Sequence, residues 1–77
     1  MKVYILTMGK NLYYVSRSSE DAEYEKQYAE EETFQGRKLG IKFSEVEIPK
    51  DWENHLEEKI SVGNGVSYTV EEIMNLL

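Results

Sequence analysis

The sequence predicts a small α+β fold, and three observations carry that prediction. KVYILTM and LYYVS, separated by GKN, have the β-branched and aromatic composition of a hairpin. SSED opens a long polar segment with the signature of a helix start, and TVEEIMNLL ends in an amphipathic one. Between them KLGIKFSEVEI reads as a third strand. The expected architecture is one domain over residues 1–77. It has a small, mainly antiparallel sheet with a β-β-α-β start, a short second helix, a second hairpin and a C-terminal amphipathic helix.

The first strand, residues 2–8, is apolar on both parities, which suits a strand covered on both faces or lying centrally in a sheet. GKN supplies the turn, and residues 12–16 return. Ser18 and Asp21 then stand three apart, so the hydroxyl can accept from an orphan backbone N–H. Glu20 and Asp21 meanwhile favour the positive end of the helix dipole. A helix is expected from Ser19 to Thr33, broken by Gly36, with Arg37 and Lys38 past its negative end.

In the strand at 38–48, Leu39, Ile41 and Phe43 share one parity, whereas Val46 and Ile48 share the other. A period of two cannot place both sets on one face. A bulge near Ser44 and Glu45, or a bend, is therefore expected. Pro49 ends the segment, and Asp51 is placed to cap a short helix, DWENHLEEK, with Trp52, His55 and Leu56 on one face. ISVGNGVSY predicts a hairpin whose Asn64-Gly65 pair makes a type I′ turn, with a looser glycine-rich loop as the alternative. Thr69 and Glu72 form a capping box. Val70, Ile73, Met74 and Leu77 lie on one stripe, and Ile73, Met74 and Leu77 are expected to dock the terminal helix.

Composition narrows the function. The chain has no cysteine, so it has neither a disulfide framework nor thiolate metal ligands. A chain of 77 residues has a thin core, which makes a homodimer a reasonable expectation. No signal peptide pattern and no apolar run of about 20 residues is present, so a cytoplasmic protein off the membrane is expected. A net charge of −6 argues against direct nucleic-acid binding, which needs clustered Lys and Arg, and is compatible with a basic protein partner. The charge is uneven: residues 1–17 carry Lys2, Lys10 and Arg17 and no acid.

The chemistry-bearing residues do not assemble into a catalytic pattern. His55 is the one histidine and is expected to be structural. The carboxylate pairs Glu45 with Glu47, Glu57 with Glu58 and Glu71 with Glu72 fall where solvent is expected. Gly63 and Gly65 flank an asparagine and lack the lysine of a phosphate loop. No enzymatic activity, cofactor or metal is expected.

The acidic helix is the one unusual element. SSEDAEYEKQYAEEETF, residues 18–34, holds seven of the fifteen acids. At about 100° per residue, Ala22 and Ala29 share one side, and Tyr24 and Tyr28 share another about 120° away. Glu20, Glu23, Gln27, Glu30 and Glu31 lie on the far side. The alanines are thus expected to pack on the sheet, leaving a partner-binding face of Glu20, Glu23, Tyr24, Tyr28, Glu30 and Glu31. The plain alternative is a solvated helix that happens to be acidic.

MKVYILTMG followed by YYVSRSSEDAE resembles the start of small acidic accessory proteins encoded by bacteriophages, which open on a hairpin like KVYVLT-G and an S-E-A helix start. The resemblance spans residues 1–30. It implies a host-takeover protein acting in the bacterial cytoplasm by occupying the DNA-binding surface of a host protein, such as a histone-like nucleoid protein. The expected function is thus a non-enzymatic, DNA-mimicking inhibitor of a basic nucleic-acid-binding protein. The alternative is an assembly protein that dimerises through exposed tyrosines and a sheet edge.

Overall fold

A computed structural model describes residues 1–77, and the fold is α+β. Strands β1 (Lys2–Met8) and β2 (Asn11–Ser16) form the hairpin, with Gly9 at φ 61° in its turn. Helix α1 (Ser19–Glu32) and a second helix α2 (Phe34–Leu39) lead to β3 (Ile41–Glu47). A single 3-10 turn at Trp52–Asn54 precedes the hairpin β4 (Lys59–Ser61) and β5 (Ser67–Thr69), and α3 (Val70–Met74) closes the order. The first sheet runs β2-β1-β3, antiparallel throughout, and β4-β5 forms a separate two-stranded sheet. No helix is long and apolar enough to cross a membrane.

The two parities of β1 serve two cores. Val3 and Ile5 enter a cluster with Val15, Ile48, Val62, Tyr68, Val70 and Ile73, which the second sheet and α3 cover. Leu6 and Met8 enter a second cluster with Ala22, Ala29 and Ile41 under α1. The central, doubly covered strand anticipated from KVYILTM is therefore present. The same arrangement corrects the reading of β3, which pairs with β1 residue for residue from Lys2↔Glu47 to Met8↔Ile41 without a bulge. Ile41 and Phe43 face the α1 side, whereas Val46 and Ile48 face the other cluster, so one regular strand feeds both layers. The bulge lies in the first hairpin instead: Leu6 pairs with Tyr14 and Thr7 with Leu12, leaving Tyr13 extra.

Ser18 caps α1 as expected, its hydroxyl accepting from the Asp21 N–H at 3.3 Å. The other end differs from expectation. Thr33, extended at φ −114°, ψ 143°, breaks the helix, and its hydroxyl then accepts from the Gly36 N–H at 3.0 Å to start α2. Gly36 is buried inside α2, where an added Cβ would sit 2.0 Å from the Ala29 carbonyl oxygen. Its missing side chain lets α2 fold back onto α1. Lys38 and Leu39, expected in the strand, occupy the last turn of α2. Gly40, at φ 76°, makes the reversal into β3.

The helix expected over 51–59 is only the 3-10 turn. Asp51 makes no capping bond, and its carboxylate is instead engaged by His55 Nε2 at 3.1 Å. Trp52 nonetheless packs, half-buried, on the main cluster. The second hairpin forms, but not through a type I′ turn. Asn64 keeps a negative φ and only Gly65 is positive, at 80°. The Gly65 N–H donates to the Val62 carbonyl at 3.1 Å, closing a three-residue loop with a left-handed glycine at its end. In α3 the capping box of Thr69 and Glu72 is present, and Val70 and Ile73 are buried. Met74 packs on the cluster, but the helix ends there and Leu77 is 46% exposed, so it does not dock.

Candidate functional site

The orientation of α1 follows from its two alanines. Ala22 and Ala29 are both fully buried on the sheet, where small side chains let the helix backbone approach closely. That choice turns the rest of the helix outward. Tyr24 is 71% and Tyr28 48% exposed, and Glu20, Glu23 and Glu31 are exposed beside them. Of the six residues anticipated for a binding face, five lie in the open. Glu30 is the exception in kind: half-buried on the flank, it accepts a hydrogen bond from Lys26 Nζ at 3.0 Å.

Two shallow grooves border this face. Glu23, Lys26, Gln27, Glu30 and Glu31 line the first, with the Phe43 ring of β3 contributing its apolar wall. Tyr24, Gln27, Tyr28, Glu31 and Glu32 line the second. Gln27 and Glu31 form the ridge between them, joined by a bond from Gln27 Nε2 to the Glu31 carboxylate at 3.3 Å. Glu20 stands a turn earlier and lines neither groove. Sequence reading missed Phe43, which arrives from a different element, and Lys26, whose spacing of four from Glu30 was legible.

The electrostatics of α1 are unusual at its C-terminal end. Glu30, Glu31 and Glu32 fill the last turn, where the partial negative charge of the helix dipole disfavours carboxylates, and no basic residue stands there. Only Lys26 offsets the seven acids from within the helix. On the inner flank, the Tyr13 phenol is held above its usual value, first by partial burial and then by the nearby Glu25 carboxylate.

His55 lies apart from this face. Its Nδ1 meets Glu58 and its Nε2 meets Asp51. The carboxylates thus approach opposite edges of the ring, an arrangement in which the three groups cannot share one ion. Hydrogen bonding to Glu58 and then Asp51 raises the His55 pKa above its usual 6.5, and the bond from His55 lowers that of Asp51.

No protein-family model, curated protein or solved structure matches this chain.

Proposed function

We propose that this chain is a non-enzymatic acidic binding module whose outer α1 face occupies the cationic surface of a nucleic-acid-binding protein. The observation that carries this reading is the last turn of α1. Three consecutive carboxylates stand where the dipole penalises them, each by roughly 0.3–1 kcal/mol at low salt. Helix stability would select Lys or Arg there; Glu30 is bonded to Lys26, and the exposed Glu31 and Glu32 are explained by what they offer outward. Tyr24 and Tyr28 supply the aromatic surface that protein interfaces favour. Counted around the whole helix, the seven acids of α1 average about one charge per 3 Å along its axis. Those on the outer face, Glu20, Glu23, Glu30 and Glu31, stand on average further apart than the ~3.4 Å between phosphates of one DNA strand. A bacterial host protein that wraps or packages DNA fits this chemistry, with binding in the host cytoplasm.

The test is capture from a bacterial lysate at low and high salt, followed by competition with duplex DNA. A basic DNA-binding partner should be retained at low salt, released as salt rises, and displaced by the duplex. Joint reversal of Glu20, Glu23, Glu30 and Glu31 to Lys should abolish capture while the circular dichroism spectrum is kept. Undiminished capture by the folded variant would sink the proposal.

A second reading has its own observation in the exposure of Tyr24 and Tyr28 along one groove. Self-association through that groove would tolerate salt, and Tyr24→Ala with Tyr28→Ala would convert a dimer to a monomer in sedimentation.

A further inference from the structure

The segment from Asp51 to Glu58 connects β3 to the second sheet, and it also holds the start of α3. The Leu56 carbonyl accepts from the Glu71 N–H at 3.1 Å, and the Glu58 carbonyl accepts from the Val70 N–H at 2.9 Å. Together with the Thr69 hydroxyl on the Glu72 N–H, they satisfy donors that a helix N-terminus leaves orphaned. Val70 and Ile73, which these bonds position, belong to the main core.

The same segment is tied across its own turn by one imidazole. His55 Nε2 bonds the Asp51 carboxylate, four residues back, and His55 Nδ1 bonds that of Glu58, three residues on. A neutral imidazole has one N–H and cannot donate to both. With the ring neutral, one carboxylate would face a nitrogen lone pair, so both bonds coexist only in the imidazolium. Glu58 therefore carries a proton-dependent bond on its side chain and a helix-capping bond on its carbonyl.

We propose that residues 51–58 form a proton-operated latch on α3, closed when His55 is charged and loosened when it is neutral. Asp51 and Glu58 are the titratable groups that meet the ring. The packed α3 brings Glu71 and Glu72 in its first turn, Glu53 and Glu57 lie within the segment, and Lys50 and Lys59 bound it. Of these groups, Glu58 and then Asp51 favour the charged ring. The sign follows from linkage. A histidine whose folded pKa is raised adds stability that is complete below its unfolded value, near 6.5, and is lost as pH rises through the folded value. Asp51, lowered from 3.8, adds stability present above that value and lost as pH falls through its folded value. The latch thus holds from mildly acidic pH up to the His55 titration and opens above it. Opening releases the helix start while leaving the β1–β3 sheet intact.

The experiment is an NMR titration of the full chain, reading the His55 ring shifts and the hydrogen-exchange protection factors of the Val70 and Glu71 amides. The expected His55 pKa lies above 6.5, and Asp51→Asn and Glu58→Gln each lower it. Across the titration, protection at Val70 and Glu71 should fall by up to about tenfold per unit of elevation. Amides of β1 should keep theirs, and His55→Gln should remove the pH dependence. A His55 pKa at or below 6.5 would overturn the latch. So would Val70 and Glu71 protection that ignores the titration, or the same dependence surviving in His55→Gln.

Discussion

The Tyr68 hydroxyl donates to the Lys10 carbonyl at 2.7 Å, joining positions 58 residues apart. The same oxygen accepts from Asn64 Nδ2 at 2.9 Å, and Asn64 Nδ2 also reaches the Gly9 carbonyl at 3.0 Å. The second hairpin is thereby pinned to the turn of the first, although the two belong to different sheets. Tyr68→Phe keeps the ring in the core and removes the Tyr68 half of the pin, leaving the Asn64 bond to Gly9. It should cost about 1–3 kcal/mol in urea unfolding, the net worth of two hydrogen bonds, the one to Lys10 and the one from Asn64.

Gly36→Ala tests the close approach of α2 to α1. The added Cβ would meet the Ala29 carbonyl oxygen at 2.0 Å and Thr33 Oγ1 at 2.6 Å, so the helices must part. A loss of about 1–3 kcal/mol is expected, in the range of overpacked sites. Ala29→Gly should give no rescue, because the Ala29 atoms in the way are its backbone carbonyl. A neutral Gly36→Ala in thermal or urea melts would show that α2 does not need this contact.

How far the sequence could be read depended on whether a signal was local. The double coverage of β1 and the capping box at Thr69 were legible, because period and spacing state them within one segment. The parity switch in β3 is visible too, but within one segment it predicts a bulge or a bend, and the strand is regular. Only the cluster completed by Val62, Tyr68, Val70 and Ile73, against which Val46 packs, gives that parity a core of its own. Gly36 read as a helix breaker because its reason lies across space in Ala29. Asp51 was assigned to a cap that His55 draws it away from. For the candidate face, the angular separation of the alanines from the tyrosines was legible from helix geometry alone. The Phe43 wall of the first groove was not, since no spacing within α1 points to it.

Ile73 and Leu77 share a predicted stripe but not a fate. Ile73 is fully buried and Leu77 is 46% exposed, because α3 ends at Met74. Ile73→Ala should cost about 2–5 kcal/mol, whereas Leu77→Ala should stay within about 0.5 kcal/mol of the parent. Equal losses at the two positions in denaturant melts would mean that α3 continues and docks further along the chain.

Thr7 offers a change in the opposite direction. It lies on β1, 1% exposed, with the same parity as Val3 and Ile5. Its Oγ1 is buried without a hydrogen-bond partner. A hydroxyl left in that condition costs free energy, because the bonds it made to water in the unfolded chain are not replaced. Thr7→Val keeps the branched shape that suits a strand and exchanges the hydroxyl for a methyl. The variant should be more stable by about 1 kcal/mol, near the low end of what an unsatisfied buried group costs. Thr7→Ser keeps the hydroxyl, removes a buried methyl and should be less stable. The urea midpoints of the two variants should therefore fall on either side of the parent. A lower midpoint for Thr7→Val would mean that the hydroxyl is bonded after all, most simply to a water held inside the core.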